Sequence, residues 1–230
     1  MSEKILTLKQ VLHKASNEEL QALLKLLNNQ WNSSVKKEHL NVTDINRESR
    51  IRMIEKEIRE YGGNTILNMF RSDDDLVTYD EIVRDVAEKF NVKTEWKLIP
   101  DIELGIYSKI LEKAVKEMSE KDRVKFFKEF NVKYSPDMNE EEIRKIILTL
   151  LSASLIPAIL QIIWPVVAGT TLALGAIGVS TTAISLISLP ITALIFAIWG
   201  MLDLTGPAFR VTIPCVLFVA ILRRKPEPEN

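Results

Sequence analysis

Apolar residues recur at helical spacing through the first part of the chain: Leu20, Leu23, Leu24 and Leu27, then Ile51, Ile54 and Ile58, then Tyr107, Ile110, Leu111, Ala114, Val115 and Met118. A period of three to four residues puts one apolar stripe on each helix and predicts amphipathic helices packed on a common core. The starts of these helices are also marked. Ser16 with Glu19, Thr78 with Glu81, Ser119 with Asp122 and Asn139 with Glu142 each place a capping side chain three residues ahead of an acidic one. Pro100 suits the first turn of a helix following Ile99, where its missing donor costs nothing. Gly62-Gly63 after Tyr61 reads as a helix stop in the left-handed conformation. Phe90-Asn91-Val92-Lys93 and Phe130-Asn131-Val132-Lys133 end two helices in the same words, but the residues between them align poorly at that offset. They are read as two separate uses of Asn and an apolar contact to close a helix. With no strand-like alternation, about six or seven short helices are expected.

The pattern changes at Lys145. From Ile146 to Leu202 about 57 consecutive residues pass without one Asp, Glu, Lys, Arg or His. A membrane-crossing helix needs roughly 20 apolar residues, so the stretch is long enough for two spans. They are expected at Ile146 to Ala168 and about Val179 to Leu202, joined by the small-residue segment Gly169 to Gly178. Each reaches about 34 Å at about 1.5 Å per residue, enough to cross a hydrocarbon core of about 30 Å with some tilt. Trp164 and Trp199 are candidate interface markers, Gly175 with Gly178, Ala168 and Ala183 permits close helix contact, and Gly169, which opens the joining segment, is a further candidate hairpin residue. Pro157, Pro165 and Pro190 bend such helices without forbidding them.

Arg144 and Lys145 on one side, with Arg223, Arg224 and Lys225 on the other, put both ends in the cytoplasm by the positive-inside rule. Beyond Asp203, Thr212 can cap and Pro214 can occupy the first turn of a terminal helix at about 213–224, too short to span by itself. The fold class is therefore all-α: an N-terminal multi-helix domain over 1–145, then 146–230 with a hydrophobic hairpin and a short terminal helix.

Charge sharpens the division. Net charge is −1, yet residues 1–145 hold 26 of the 30 Lys and Arg and 28 of the 31 Asp and Glu. Signs are mixed there, with no basic stripe to hold nucleic-acid phosphates. The N-terminus lacks the features of a secretory signal, which points to a cytoplasmic first part. The single cysteine, Cys215, sits among Ile213, Val216 and Leu217 and reads as a buried hydrophobe.

Arg210-Val211-Thr212-Ile213-Pro214, followed by Val216, Ala220 and Leu222-Arg223-Arg224, resembles the C-terminal signature of the bacterial YaaW-like family. Tyr61-Gly62-Gly63-Asn64 with Ile66 and Arg71 resembles that family's aromatic-Gly-Gly motif, and the opening Leu12 to Leu20 is similar as well. The resemblance covers nearly the whole chain and implies a bacterial, mainly helical protein. It brings no catalytic residues with it.

The chemistry-bearing residues are scattered. His13 and His39 have no second histidine at ligand spacing. Asp73-Asp74-Asp75 lacks the alternating ligands and turn glycine of a calcium loop, and Gly62-Gly63 lacks a phosphate-loop lysine. Arg210 either caps a neighbouring helix or holds a lipid phosphate. Arg210, Thr212, Pro214, Arg223 and Arg224 thus form a candidate structural or membrane-interface motif, with no cofactor or metal. The expected function is non-enzymatic: a cytoplasmic partner-binding or sensing domain anchored by the hairpin to the inner membrane. Its partners are membrane lipid and a protein partner or second copy. The alternative is a soluble, cytoplasmic protein whose sheathed hairpin inserts conditionally and oligomerises into a pore.

Overall fold

A computed structural model of the chain describes residues 5–29, 46–63, 76–129, 131–151 and 209–224. Among them are eight α-helices and no strand: α1 Leu8–Leu12, α2 Asn17–Asn29, α3 Arg47–Gly62, α4 Tyr79–Lys89, α5 Ile99–Glu117, α6 Glu120–Glu129, α7 Glu140–Leu151 and α8 Phe209–Arg224. The expected all-α class holds. The two spans over 152–202, their linker, Trp164, Gly169, Gly175, Gly178 and Trp199, and also His39 and Asp73-Asp74-Asp75, lie outside the described residues.

All four sequence-marked helix starts are used. The amide of Ser16 donates to Glu19 (2.7 Å) and the amide of Glu19 to Ser16 Oγ (3.2 Å), opening α2. Thr78 and Glu81 make the same reciprocal pair at α4. Asn139 accepts from the amides of Glu141 and Glu142 at α7, while Glu142 accepts from the Asn139 amide. At α6 the Asp122 amide donates to Ser119 Oγ at 3.3 Å. Two further caps open α1 and α3, Thr7 with Gln10 and Asn46 with the Ser49 amide. Pro100 lies in the first turn of α5.

The paired Asn closures are one motif built twice. Asn91 and Asn131 have φ of 52° and 53°. The Val92 amide donates to the Ala87 carbonyl (2.9 Å) and the Asn91 amide to Glu88 (3.0 Å); the Val132 amide donates to Phe127 (2.9 Å) and the Asn131 amide to Lys128 (3.0 Å). These are the six-to-one and five-to-two bonds that satisfy a helix's last carbonyls. Val92 then lands on Gly105 of α5, where a Cβ would lie 2.7 Å from its Cγ1.

Two local expectations need correcting. Gly63 follows α3 with φ −81° and ψ 139°, so the Gly-Gly pair ends the helix in extended rather than left-handed backbone. The reason for glycine is steric: a Cβ on Gly62 would collide with the side chain of buried Ile82 on α4. The terminal helix, expected at about 213–224 behind a Thr212 cap, is Phe209–Arg224, so Pro214 sits inside it and Thr212 is a buried helical residue rather than its cap. Proline there has no N–H for the carbonyl one turn back, a cost that burial of the helix offsets.

That burial is nearly complete. Val211, Ile213, Cys215, Val216, Leu217, Phe218, Val219, Ala220 and Leu222 are all buried, on every face of α8. A helix apolar all round needs a core or a bilayer as its solvent. Here it is a core: α8 packs against α1, α2, α3, α4 and α5. α7 packs along α5, with Ile147 and Leu150 buried. Residues 146–151, the expected start of the first span, thus belong to α7. About 51 uncharged residues, Ser152 to Leu202, remain beyond it.

The seven buried Val, Ile, Leu and Phe side chains of α8, at about 1.5 kcal/mol or more each, match a typical net domain stability of about 5–15 kcal/mol. The expressed fragment 1–151, which keeps α7 whole, should therefore lack a cooperative thermal transition by circular dichroism. A sharp transition would show that the first seven helices hold together without α8. Gly62→Ala should lower stability by about 1–3 kcal/mol through overpacking against Ile82, read as a drop in the denaturation midpoint.

Candidate functional site

Glu103 is one helical turn from Ile99 and one from Ile106 and Tyr107, on the apolar face of α5, and is completely buried. A carboxylate so far from water has to be neutralised and hydrogen-bonded. Arg223 supplies most of this: its Nε lies 3.0 Å from Oε2 and its Nη2 3.1 Å from Oε1. Arg224 Nη1 adds a longer contact to Oε2 at 3.5 Å, and the Tyr79 hydroxyl donates to Oε1 at 2.9 Å.

The remaining donors bind backbone carbonyls. Arg223 Nη1 reaches Leu6 (2.6 Å) ahead of α1, and Arg224 Nη2 reaches Pro100 (2.6 Å) at the start of α5. Lys14 Nζ donates to the Arg223 carbonyl at 3.1 Å, meeting the negative end of α8 with a cation. A turn or two earlier, the Tyr107 hydroxyl donates to the Leu217 carbonyl at 2.6 Å. α8 is thereby tied to the opening of the chain, to α4 and to α5.

The electrostatics follow from this packing. Burial opposes the charge on Arg223, but hydrogen bonding and attraction to Glu103 outweigh it and raise its pKa. Burial, then the Glu103 charge, pushes the Tyr79 hydroxyl well above the ordinary tyrosine range, and burial does the same for Tyr107. Both phenols thus remain donors. Cys215 is buried, and desolvation raises its thiol far above the reactive range.

The arrangement is a clamp in which each Glu103 oxygen already accepts hydrogen bonds, leaving poor geometry for general-base chemistry. A groove of about 660 Å³ lies elsewhere, between α5 and α7. Its charged walls pair with one another: Glu112 with Lys109 (3.1 Å) and Arg144 (3.2 Å), and Lys116 with Glu140 (2.9 Å). Among the described residues no three His, Cys, Asp or Glu gather to hold a metal. His13 lies 3.2 Å from Glu48, which Lys9 also contacts at 2.6 Å.

Of the candidate motif, the structure brings Arg223 and Arg224 together on Glu103 and places Thr212 and Pro214 inside α8. Arg210 is in the first turn of that helix. Sequence reasoning missed Glu103 and Tyr79 as partners of this cluster, and Tyr107 as a partner of the Leu217 carbonyl in the same helix. The available signal was a carboxylate on the face shared by Ile99, Ile106 and Ile110.

Fold and site together define an all-helical domain built around its own C-terminal helix and locked by a buried carboxylate–arginine cluster. A UPF0174 protein of Helicobacter pylori strain J99 is 31% identical over 187 residues, covering 77% of this chain and 72% of the relative. The chain belongs to the UPF0174 family. A second UPF0174 protein of that strain is 28% identical, over 77% of this chain and 90% of its own length. One from strain 26695 is 28% identical, over 76% and 88%. The bacterial family implied by the sequence is thus supported under the UPF0174 name, and YaaW-like stays a resemblance. No family model matches the chain, and no solved structure does.

Removing one partner from a buried ion pair typically costs about 3–5 kcal/mol, whereas replacing the whole cluster with apolar groups is often neutral. Arg223→Met should therefore destabilise the protein by about that amount, and Glu103→Leu with Arg223→Met and Arg224→Leu should recover much of the loss. Chemical denaturation of the full chain reads both; equal losses in the single and triple variants would contradict the clamp.

Proposed function

We propose that the protein is a non-enzymatic membrane-associated protein. Its helical domain binds a partner or senses a signal at the cytoplasmic face of the inner membrane, and the uncharged segment between α7 and α8 anchors it there. The observation that carries this reading is where that segment begins and ends. It departs from α7, packed on α5, and returns as α8, clamped to α5 through Glu103. The elements before and after these roughly 51 uncharged residues are held in one body, and an even number of crossings leaves both ends of an anchor on one side. Among the described residues no helix is long and apolar enough to cross a membrane; the proposed anchor is the uncharged segment.

One observation favours a second reading, the sheathed hairpin of a conditional pore-former. α8 already shows this fold enclosing a helix that is apolar on every face. The two readings diverge under alkaline carbonate. An anchored protein stays in the membrane pellet, and Ala183→Arg with Ile187→Arg releases it, because each charge costs roughly 2.5–3.5 kcal/mol near the bilayer centre. A sheathed protein is found in the supernatant without mutation, and the double variant unfolds or aggregates. Recovery of the unmodified chain in the supernatant would defeat the anchor.

A further inference from the structure

Trp96 is fully exposed, at 102% of its reference area, in the loop between α4 and α5. Its φ is 59°, a left-handed conformation that aromatic residues rarely adopt. The loop around it is braced: Val92 is seated on Gly105, Arg84 Nη1 donates to the Thr94 carbonyl at 3.0 Å, and the Lys97 amide donates to the same carbonyl at 3.3 Å. Trp96 is therefore displayed by a fixed turn. Beside it Leu98 is 56% exposed, and exposed Lys93 and Lys97 flank the single acid Glu95. An indole at a loop tip, a neighbouring leucine and bracketing lysines are the chemistry of a lipid headgroup interface, where tryptophan rests and lysine meets anionic phosphate.

The position of the loop selects the same occupant. Gly105, Lys109, Glu112 and Lys116 lie on one face of α5, spaced four, three and four residues apart. Glu140 pairs with Lys116 and Arg144 with Glu112, so α7 runs antiparallel along that face toward Gly105, where Val92 sits. The last turn of α7 therefore lies toward the Gly105 end of α5, on which Val92, four residues before Trp96, is seated. α8 begins at Phe209, whose ring lies under Lys89 Nζ at 4.8 Å, three residues before Val92. The start of α8 thus touches the end of α4, from which the chain runs into the Trp96 loop.

From this placement we infer that the loop Lys93–Leu98 is a second membrane contact, with Trp96 and Leu98 seated among the headgroups of an anionic bilayer where the uncharged segment leaves the domain. The inference rests on the membrane-associated reading and adds the face that the domain turns to the lipid. Its test uses the full chain with Trp31, Trp164 and Trp199 changed to Phe, so that Trp96 is the only indole. The protein is reconstituted in phosphatidylethanolamine–phosphatidylglycerol vesicles and checked by carbonate pelleting. Expected are a loss of Trp96 emission when the acyl chains carry bromine near the headgroup, and protection from acrylamide compared with Trp96→Ser-corrected background. Pelleted protein in which acrylamide quenches Trp96 freely and brominated lipid does not would overturn the inference and leave the anchor intact. Protection from both quenchers would also overturn it, by showing that protein covers the loop. Failure to pellet would remove the membrane reading itself, and this inference with it.

Discussion

A carboxylate withdrawn from water at the centre of a helical bundle is tolerable only if cations and donors reach it, and in this chain both cations come from the last turn of the last helix. Glu103 and Arg223 are 120 positions apart, so the two cations reach the carboxylate only when α8 is packed against α5. That requirement makes α8 a structural centre, although in chain order it looks like an appendage. It also ties α1 into the fold, since Arg223 and Lys14 bridge α8 and the opening of the chain.

The same economy of donors recurs at the helix junctions. Arg47 donates to the carbonyls of His13 and Ala15 between α1 and α2. Arg59 binds the carbonyls of Leu76 and Val77 ahead of α4. Arg123 binds those of Val115 and Lys116 in the last turn of α5. Helix ends leave carbonyls without partners, and the planar guanidinium suits two at once. Many of the charges that make the first part look like a solvated surface are fasteners between elements.

Closure around α8 constrains what lies between α7 and α8. The two elements flanking the long uncharged segment, α7 and α8, both pack on α5 and are held by one core. This shared core is what the proposed anchor is argued from.

What the sequence determined by itself is what depends on neighbours a few residues apart. The reciprocal caps at Ser16, Thr78 and Asn139, the proline in the first turn of α5, the Asn91 and Asn131 closures and the apolar stripes all obey interactions within one or two helical turns. The all-α class and the burial of Cys215 followed from them. Tertiary structure alone decided the rest. Gly62 is glycine because Ile82 approaches it, Pro214 lies inside a helix because packing extends that helix upstream, and Arg223 and Arg224 meet Glu103 because the fold brings α8 against α5. Trp96 stands exposed because its turn holds it away from the core. A hydrophobic period records which face of a helix is buried, but not which helix will cover it, and charges separated by more than a hundred residues leave no periodic trace.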